Sequence, residues 1–367
     1  MTRTHTNPDD NRLVLGIESS CDETAAAVVR GGRTVLSNVI ASQHDLHAEY
    51  RGVVPEIASR AHAERIDKVV KLALEHAQVN LSDIDAIAMG NRPGLIGSLL
   101  VGVSAAKALA FTLSRPLVGV DHVLSHLYAG FLHRTPSADQ NASTDHSNLF
   151  PALGLVVSGG HSAIYRLSSP TSSLRLGTTR DDAIGEAYDK AAALMNLPFP
   201  GGPVVDKLAQ AGGPDRFDLP VSRLEPNSLD FSFSGLKTAL LYTLRGVPTQ
   251  RGRGGTPALD PTDANIADLC AAFQHAAVKA VALKLERAMH QNPDCVTLFV
   301  GGGVSANSLL RSTLTDLCRQ SGLTLKLPAM EFCLDNAAMI AGLGHQTLTT
   351  RNWQSDPLTT SASASST

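Results

Sequence analysis

The chain has 367 residues, 43% hydrophobic and 18% charged, with a formal charge of −3 from 31 basic and 34 acidic side chains. That length suits two ordinary domains with a sizeable core. The near-neutral balance excludes nucleic-acid binding through bulk charge alone, although not through a local basic patch or a basic partner, and 4% aromatics argues against base stacking as the main means of holding single strands.

Residues 1–12 are polar and lack the apolar core of a secretory signal. The run from Leu13 to Val29, LVLGIESSCDETAAAVV, is an apolar stretch, a polar turn and a second apolar stretch, which predicts a β-hairpin. From Ile84 to Phe111 a strand pattern enters a Gly-containing turn and then an amphipathic helix pattern. Its apolar part, Ser98 to Leu113, is interrupted by Lys107 and reads as a buried helix too short to span a bilayer. The cysteines Cys21, Cys270, Cys295, Cys318 and Cys333 are scattered, with no Cys-x-x-Cys pair, so a reducing compartment and no thiolate zinc site are expected. These features predict a cytoplasmic protein with no membrane association.

Pro116 to Val120 reads as a short strand, and Asp121 as the N-cap of a helix starting at His122. His122 and His126 then lie one turn apart on one helical face, a spacing that can chelate a metal; two surface histidines would show the same spacing. His62 and His133 read as ordinary surface residues. The His-x-x-x-His pattern does not make a metalloprotease, because Val123 stands where such an enzyme needs a glutamate base.

Leu153 to Leu167 repeats the hairpin pattern, and Val296 to Cys318 repeats the strand, glycine turn and helix. Two related α/β lobes facing a cleft follow: 1–145 and 150–350, the second with an insert rich in Gly and Pro turns over about 177–263. Segments 135–147 and 246–262 read as mobile surface loops and 351–367 as a disordered tail. The turns Ser158-Gly159-Gly160 and Gly301-Gly302-Gly303 each follow a strand-like run. They suit either close approach to a phosphate or base, or simple tight connection. Neither matches a P-loop or a Rossmann fingerprint. Asp189, in the acidic helical run after Asp181, and Asp206 suit ribose contacts or a solvated face. Asp335, ahead of an apolar helix from Asn336 to Gly344, is the best third ligand for a two-His-one-carboxylate site for one Fe2+ or Zn2+, or else an N-cap.

Taken together, GIESSCDETAAAVV (Gly16 to Val29), GVVPEIASRAH (Gly52 to His62), PGLIGSLLVG (Pro93 to Gly102), DHVLSHLYA (Asp121 to Ala129) and VVSGGH (Val156 to His161) resemble the tRNA N6-adenosine threonylcarbamoyltransferases. So do DDAIGEAYDKAA (Asp181 to Ala192), FPGGP (Phe199 to Pro203), FSFSGLKTA (Phe231 to Ala239), GGGVSAN (Gly301 to Asn307) and CLDNAAMIA (Cys333 to Ala341), in the family's order. The resemblance implies an actin/Hsp70-like ATPase (ASKHA) fold. It implies that His122, His126 and Asp335 hold the metal, and that Val156, Val157, Ser158, Gly159, Gly160, Asp189, Gly202, Asp206 and Asn307 bind substrate. Glu18 is expected as a late proton acceptor.

The donor implied is threonylcarbamoyl-adenylate. The acceptor is N6 of the adenosine 3′ to the anticodon, in tRNAs reading codons that begin with A. TsaB-like and TsaE-like protein subunits are the expected partners, with Arg251 and Arg253 contributing to tRNA contact. Arg51, Arg92 and Asp121 depart from the family's pattern. A small-molecule kinase of the same fold, or a non-catalytic scaffold, are the alternative functions.

Overall fold

The computed structural model describes residues 11–50, 52–134, 146–222, 224–246 and 262–355. Arg51, the loop residues 135–145 and 247–261 with Arg251 and Arg253, and the tail from 356 lie outside the described residues.

The first apolar run forms β1 (Leu13–Glu18) and β2 (Glu23–Arg30), paired antiparallel from Leu13↔Arg30 to Glu18↔Ala25. Strand β3 (Thr34–Ser42) extends the meander. A one-turn helix, α1 (His44–His47), precedes α2 (Pro55–Ala77), whose Ala58, His62, Ile66, Val69 and Ala73 face inward at helical spacing. Then β4 (Ala86–Arg92), α3 (Ile96–Leu113) and β5 (Leu117–Asp121) complete a sheet of order β3-β2-β1-β4-β5, with β4 and β5 parallel to β1. The central strands are buried on both faces, which explains their uninterrupted apolar runs.

Helix α4 (His122–Tyr128) follows. The second sheet repeats the plan: β6 (Ala152–Val157), β7 (Ser162–Ser169) and β8 (Ser172–Thr178) form the meander. The segment read as a turn-rich insert contains helices α5 (Ile184–Leu194), α6 (Gly201–Ala209) and α7 (Ser234–Arg245). The long α8 (Asp263–Gln291) buries Leu269, Phe273, Ala277, Val281 and Leu285, four residues apart, in the second core. Strand β9 (Thr297–Gly301), α9 (Ser308–Ser321) and β10 (Thr324–Lys326) close the order β10-β9-β6-β7-β8.

The sheets separate by sequence; two helices do not. Helix α10 (Ala337–Thr350) packs on β1, β2, β4 and β5 of the first sheet, whereas α4 packs on β6 and β9 of the second. The expected assignment of everything from 150 to 350 to one lobe is therefore corrected at α10. Val123 and Leu127 of α4 join Val156, Ala163 and Phe299, while Met339 and Ile340 of α10 join Val14, Ala25 and Ala88. The exchange brings α4 against α10 between the sheets. Among the described residues, two helices are long and apolar enough to cross a bilayer, Ile96–Leu113 and a part of α8. The first, read above as too short, has 18 residues but packs here on β4 and α2.

Candidate functional site

Helix α4 starts where the sequence predicts: Asp121 accepts a hydrogen bond from Leu124 N at 3.1 Å and caps it. This fixes His122 and His126 on the face turned toward the start of α10. There Asn336, rather than Asp335, is the N-cap, accepting from Met339 N at 3.0 Å. Asp335 is thereby left free to face the histidines. Its Oδ1 lies 3.5 Å from His122 Nε2 and 3.1 Å from His126 Nε2. The ligand-capable atoms of the three residues lie within 4.8 Å of one another.

Both imidazoles are buried, and their rings meet edge to face at 4.8 Å. Neither nitrogen of His126 makes a hydrogen bond, although both are buried; its contact with Asp335 lacks the alignment for one. A buried imidazole without a hydrogen bond, beside a second imidazole and a carboxylate, is the donor set of a divalent transition-metal site. Burial alone would raise the Asp335 carboxyl, but His122 and His126 overcome it and hold it well below the usual carboxylate range. Burial disfavours a charged His122, yet Glu18 and Asp335 outweigh it and hold the imidazole well above its ordinary value.

Glu18 ends β1 with no exposed surface. One oxygen accepts from Ser20 N at 2.5 Å and the other lies 3.0 Å from His122 Nδ1; Ser20 Oγ is 3.2 Å from the same nitrogen. The residue expected as a late proton acceptor is thus placed directly against His122. Both oxygens are engaged inside the protein, and the carboxylate sits behind His122.

The glycine turns divide into two kinds. A Cβ on Gly301 would stand 2.2 Å from the His126 carbonyl, and one on Gly302, at φ +94°, would stand 2.4 Å from the Val157 carbonyl. These glycines let β9 approach α4 and β6, so packing already demands them. A Cβ on Gly159, Gly160 or Gly202 would meet nothing within 4 Å. Their backbone is bare toward open space, as a ligand-facing turn requires. Ser158 closes that turn by donating its N–H to His161 O at 2.8 Å. The side chains of Val156 and Val157 point into the two faces of the second core, so they offer a ligand no side-chain contact.

The polar candidates are already bonded within the protein. Asp189 accepts from Gly201 N at 2.7 Å, at the start of α6. Burial raises its carboxyl pKa, opposed by the N–H groups of Gly201 and Gly202. Gly202 and Asp206 follow one turn apart on α6. Asp206 accepts from Ser308 Oγ at 2.7 Å and from Gln274 Nε2 at 3.1 Å. Asn307 caps α9 through Leu310 N and donates to Gln274 Oε1 at 2.8 Å. The structure thus links Asp206 and Asn307 through Gln274, which carries no sequence signal on its mid-helix position.

His161 is also near the histidine pair: burial, then His122 and His126, push its imidazole down to about 4. Its place directly after the Ser158–Gly160 turn, within VVSGGH, was a usable signal. The departing residues Arg92 and Asp121 pair with each other, Nε to Oδ2 at 3.5 Å, at a register position of β4 and β5. His62 is fully buried rather than on the surface, bonding Thr24 Oγ1 at 2.8 Å and Cys21 O at 3.0 Å. His133 is half-buried against Arg33 O.

The family model described as TsaD, tRNA N6-adenosine threonylcarbamoyltransferase, matches residues 34–342. The protein of that name from Trichlorobacter lovleyi is 49% identical over 332 residues, 90% of each chain. The one from Bacillus subtilis is 46% identical over 332 residues, 90% of this chain and 89% of its own. Among solved structures, full-length HypF in its phosphate- and nucleotide-bound form superposes with a TM-score of 0.52 at 12% identity. That superposition covers 92% of this chain and 46% of HypF, and it shows the shared actin/Hsp70-like ATPase fold.

Proposed function

The chain belongs to the tRNA N6-adenosine threonylcarbamoyltransferase family, and from that premise we propose a reaction, a donor and a site. The chain transfers threonylcarbamoyl from threonylcarbamoyl-adenylate to N6 of the adenosine 3′ to the anticodon, in tRNAs reading codons that begin with A, and releases AMP. The observation that carries the site is the convergence of His122 and His126 with Asp335, from separate halves of the chain, to within 4.8 Å.

The exchanged helices deliver two imidazoles and one carboxylate to the cleft, a set that fits one Fe2+ or Zn2+. When bound, such an ion supplies Lewis acidity and a template for donor oxygens. Glu18 holds the Nδ1 side of His122, which leaves Nε2 to face Asp335. Gly159 and Gly160 present bare backbone to the phosphate of the donor, and Gly202 does the same across the cleft. Asp189 and Asp206, fixed through Gly201 and Ser308, offer their remaining lone pairs to ribose. The adenine amine is a poor nucleophile because its lone pair is delocalised into the ring. Positioning and polarisation of the carbamoyl carbon therefore carry most of the acceleration.

TsaB-like and TsaE-like subunits are the proposed partners, in a cytoplasmic setting. Helix α3 supports a protein partner: it exposes Ile96, Leu100 and Phe111 on one stripe, Phe111 at 88%. The test supplies the chain and those subunits with threonylcarbamoyl-adenylate and unmodified tRNA, followed by nucleoside mass spectrometry. Threonylcarbamoyladenosine and AMP should appear in equal amounts. Donor binding with neither product would overturn the reaction.

A further inference from the structure

A second cluster of ligand-type side chains lies around the first hairpin turn, just beyond Glu18. Asp22 is in the β1–β2 turn, Glu23 opens β2, and His44 opens α1 just beyond β3. Glu23 is register partner to Ser42, which places His44 across from it. The backbone holds this arrangement: Gln43 N donates to Asp22 O at 3.1 Å, and His44 N donates to Ser42 Oγ at 3.3 Å. From the other side, His62 fixes the turn through Cys21 O and Thr24 Oγ1.

One carboxylate oxygen of Asp22, one of Glu23 and one ring nitrogen of His44 lie within 4.8 Å of one another. His44 Nε2 has no accessible surface and makes no hydrogen bond, standing 3.6 Å from Glu23 Oε1. From this geometry we infer a second divalent-cation site, formed by Asp22, Glu23 and His44 and separate from the His122–His126–Asp335 group. The inference does not depend on the transferase reading.

Two carboxylates and one imidazole suit Mn2+ or Zn2+, borderline ions that accept mixed oxygen and nitrogen ligands. The ring of His44 also stands 6.0 Å from that of Phe199 in the second lobe. A cation bound here supplies positive charge where the first lobe faces the second.

Mn2+ titration of the full, chelator-stripped chain, with free Mn2+ read by electron paramagnetic resonance, tests the site. The wild type should bind two ions per chain. His44→Ala and Asp22→Asn should each bind one, His126→Ala should keep one, and His44→Ala/His126→Ala should bind none. His44 is partly exposed on a one-turn helix, so an unchanged melting temperature for His44→Ala separates lost ligation from lost folding. Two ions still bound by His44→Ala, or one by the wild type and none by His126→Ala, would overturn the inference.

Discussion

At the scale of single residues, most of the chemistry rests on what stands behind each ligand. Glu18 is 104 positions before His122 in sequence and 3.0 Å from it in space. Carboxylates that orient a ligating histidine are worth about 10–100-fold in metal affinity. Glu18→Gln should therefore weaken Zn2+ binding by about that factor in a chelator competition, with secondary structure unchanged. Wild-type affinity in the variant would remove Glu18 from the site. Arg92 and Asp121 form a second supporting pair. Asp121→Ala loses the cap of α4 and should cost about 1 kcal/mol in denaturant unfolding. In a double-mutant cycle Arg92→Ala should couple to it by about 0.5 kcal/mol or more. Full additivity would mean that the ion pair contributes nothing. The sequence marked Arg92 and Asp121 as separate oddities, because a β4–β5 register pair cannot be seen before the strands are aligned.

Elements come next, and here the two glycine turns give opposite predictions. Gly301→Ala drives a methyl into the α4 backbone and should destabilise the protein by about 1–3 kcal/mol. Gly159→Ala should stay within about 0.5 kcal/mol of wild type but weaken binding of a donor analogue. Denaturant midpoints and calorimetric titration separate the two; equal destabilisation would erase the distinction. The α2 contact with the first hairpin carries a pH dependence. His62 donates from Nε2 to Cys21 O and accepts Thr24 Oγ1 at Nδ1, which is the neutral ring. Burial, opposed by Cys21 O, lowers its pKa below the ordinary 6.5. The unfolded chain then binds a proton that the folded one refuses, so stability falls as pH drops below about 6.5. Burial puts the same sign on His133 and His161. His62→Gln should reduce the acid slope of the denaturation midpoint without abolishing it, and an unchanged slope would contradict this role.

For the whole molecule, the deciding feature is the exchange of α4 and α10 between sheets. The two hairpins and two strand–turn–helix units were legible because period-two and period-3.6 patterns are local. The candidate metal ligands were legible as a spacing and a motif. The exchange was not: the small, apolar face of Ala337–Leu348 shows that something is covered, not which sheet. Nor could the sequence show that Asn307 and Asp206 share Gln274, since that contact joins three helices. A fragment ending at residue 145 lacks α10 and leaves β1, β2 and β4 uncovered. It should give a poorly dispersed amide NMR spectrum, and a folded spectrum would contradict the exchange. The central claim is that the site made by this exchange forms threonylcarbamoyladenosine. Its most direct test measures that nucleoside by mass spectrometry for stripped and metal-reloaded chain, wild type beside His126→Ala. Product from reloaded wild type alone is predicted. Full activity in the stripped wild type, or in His126→Ala, would contradict it.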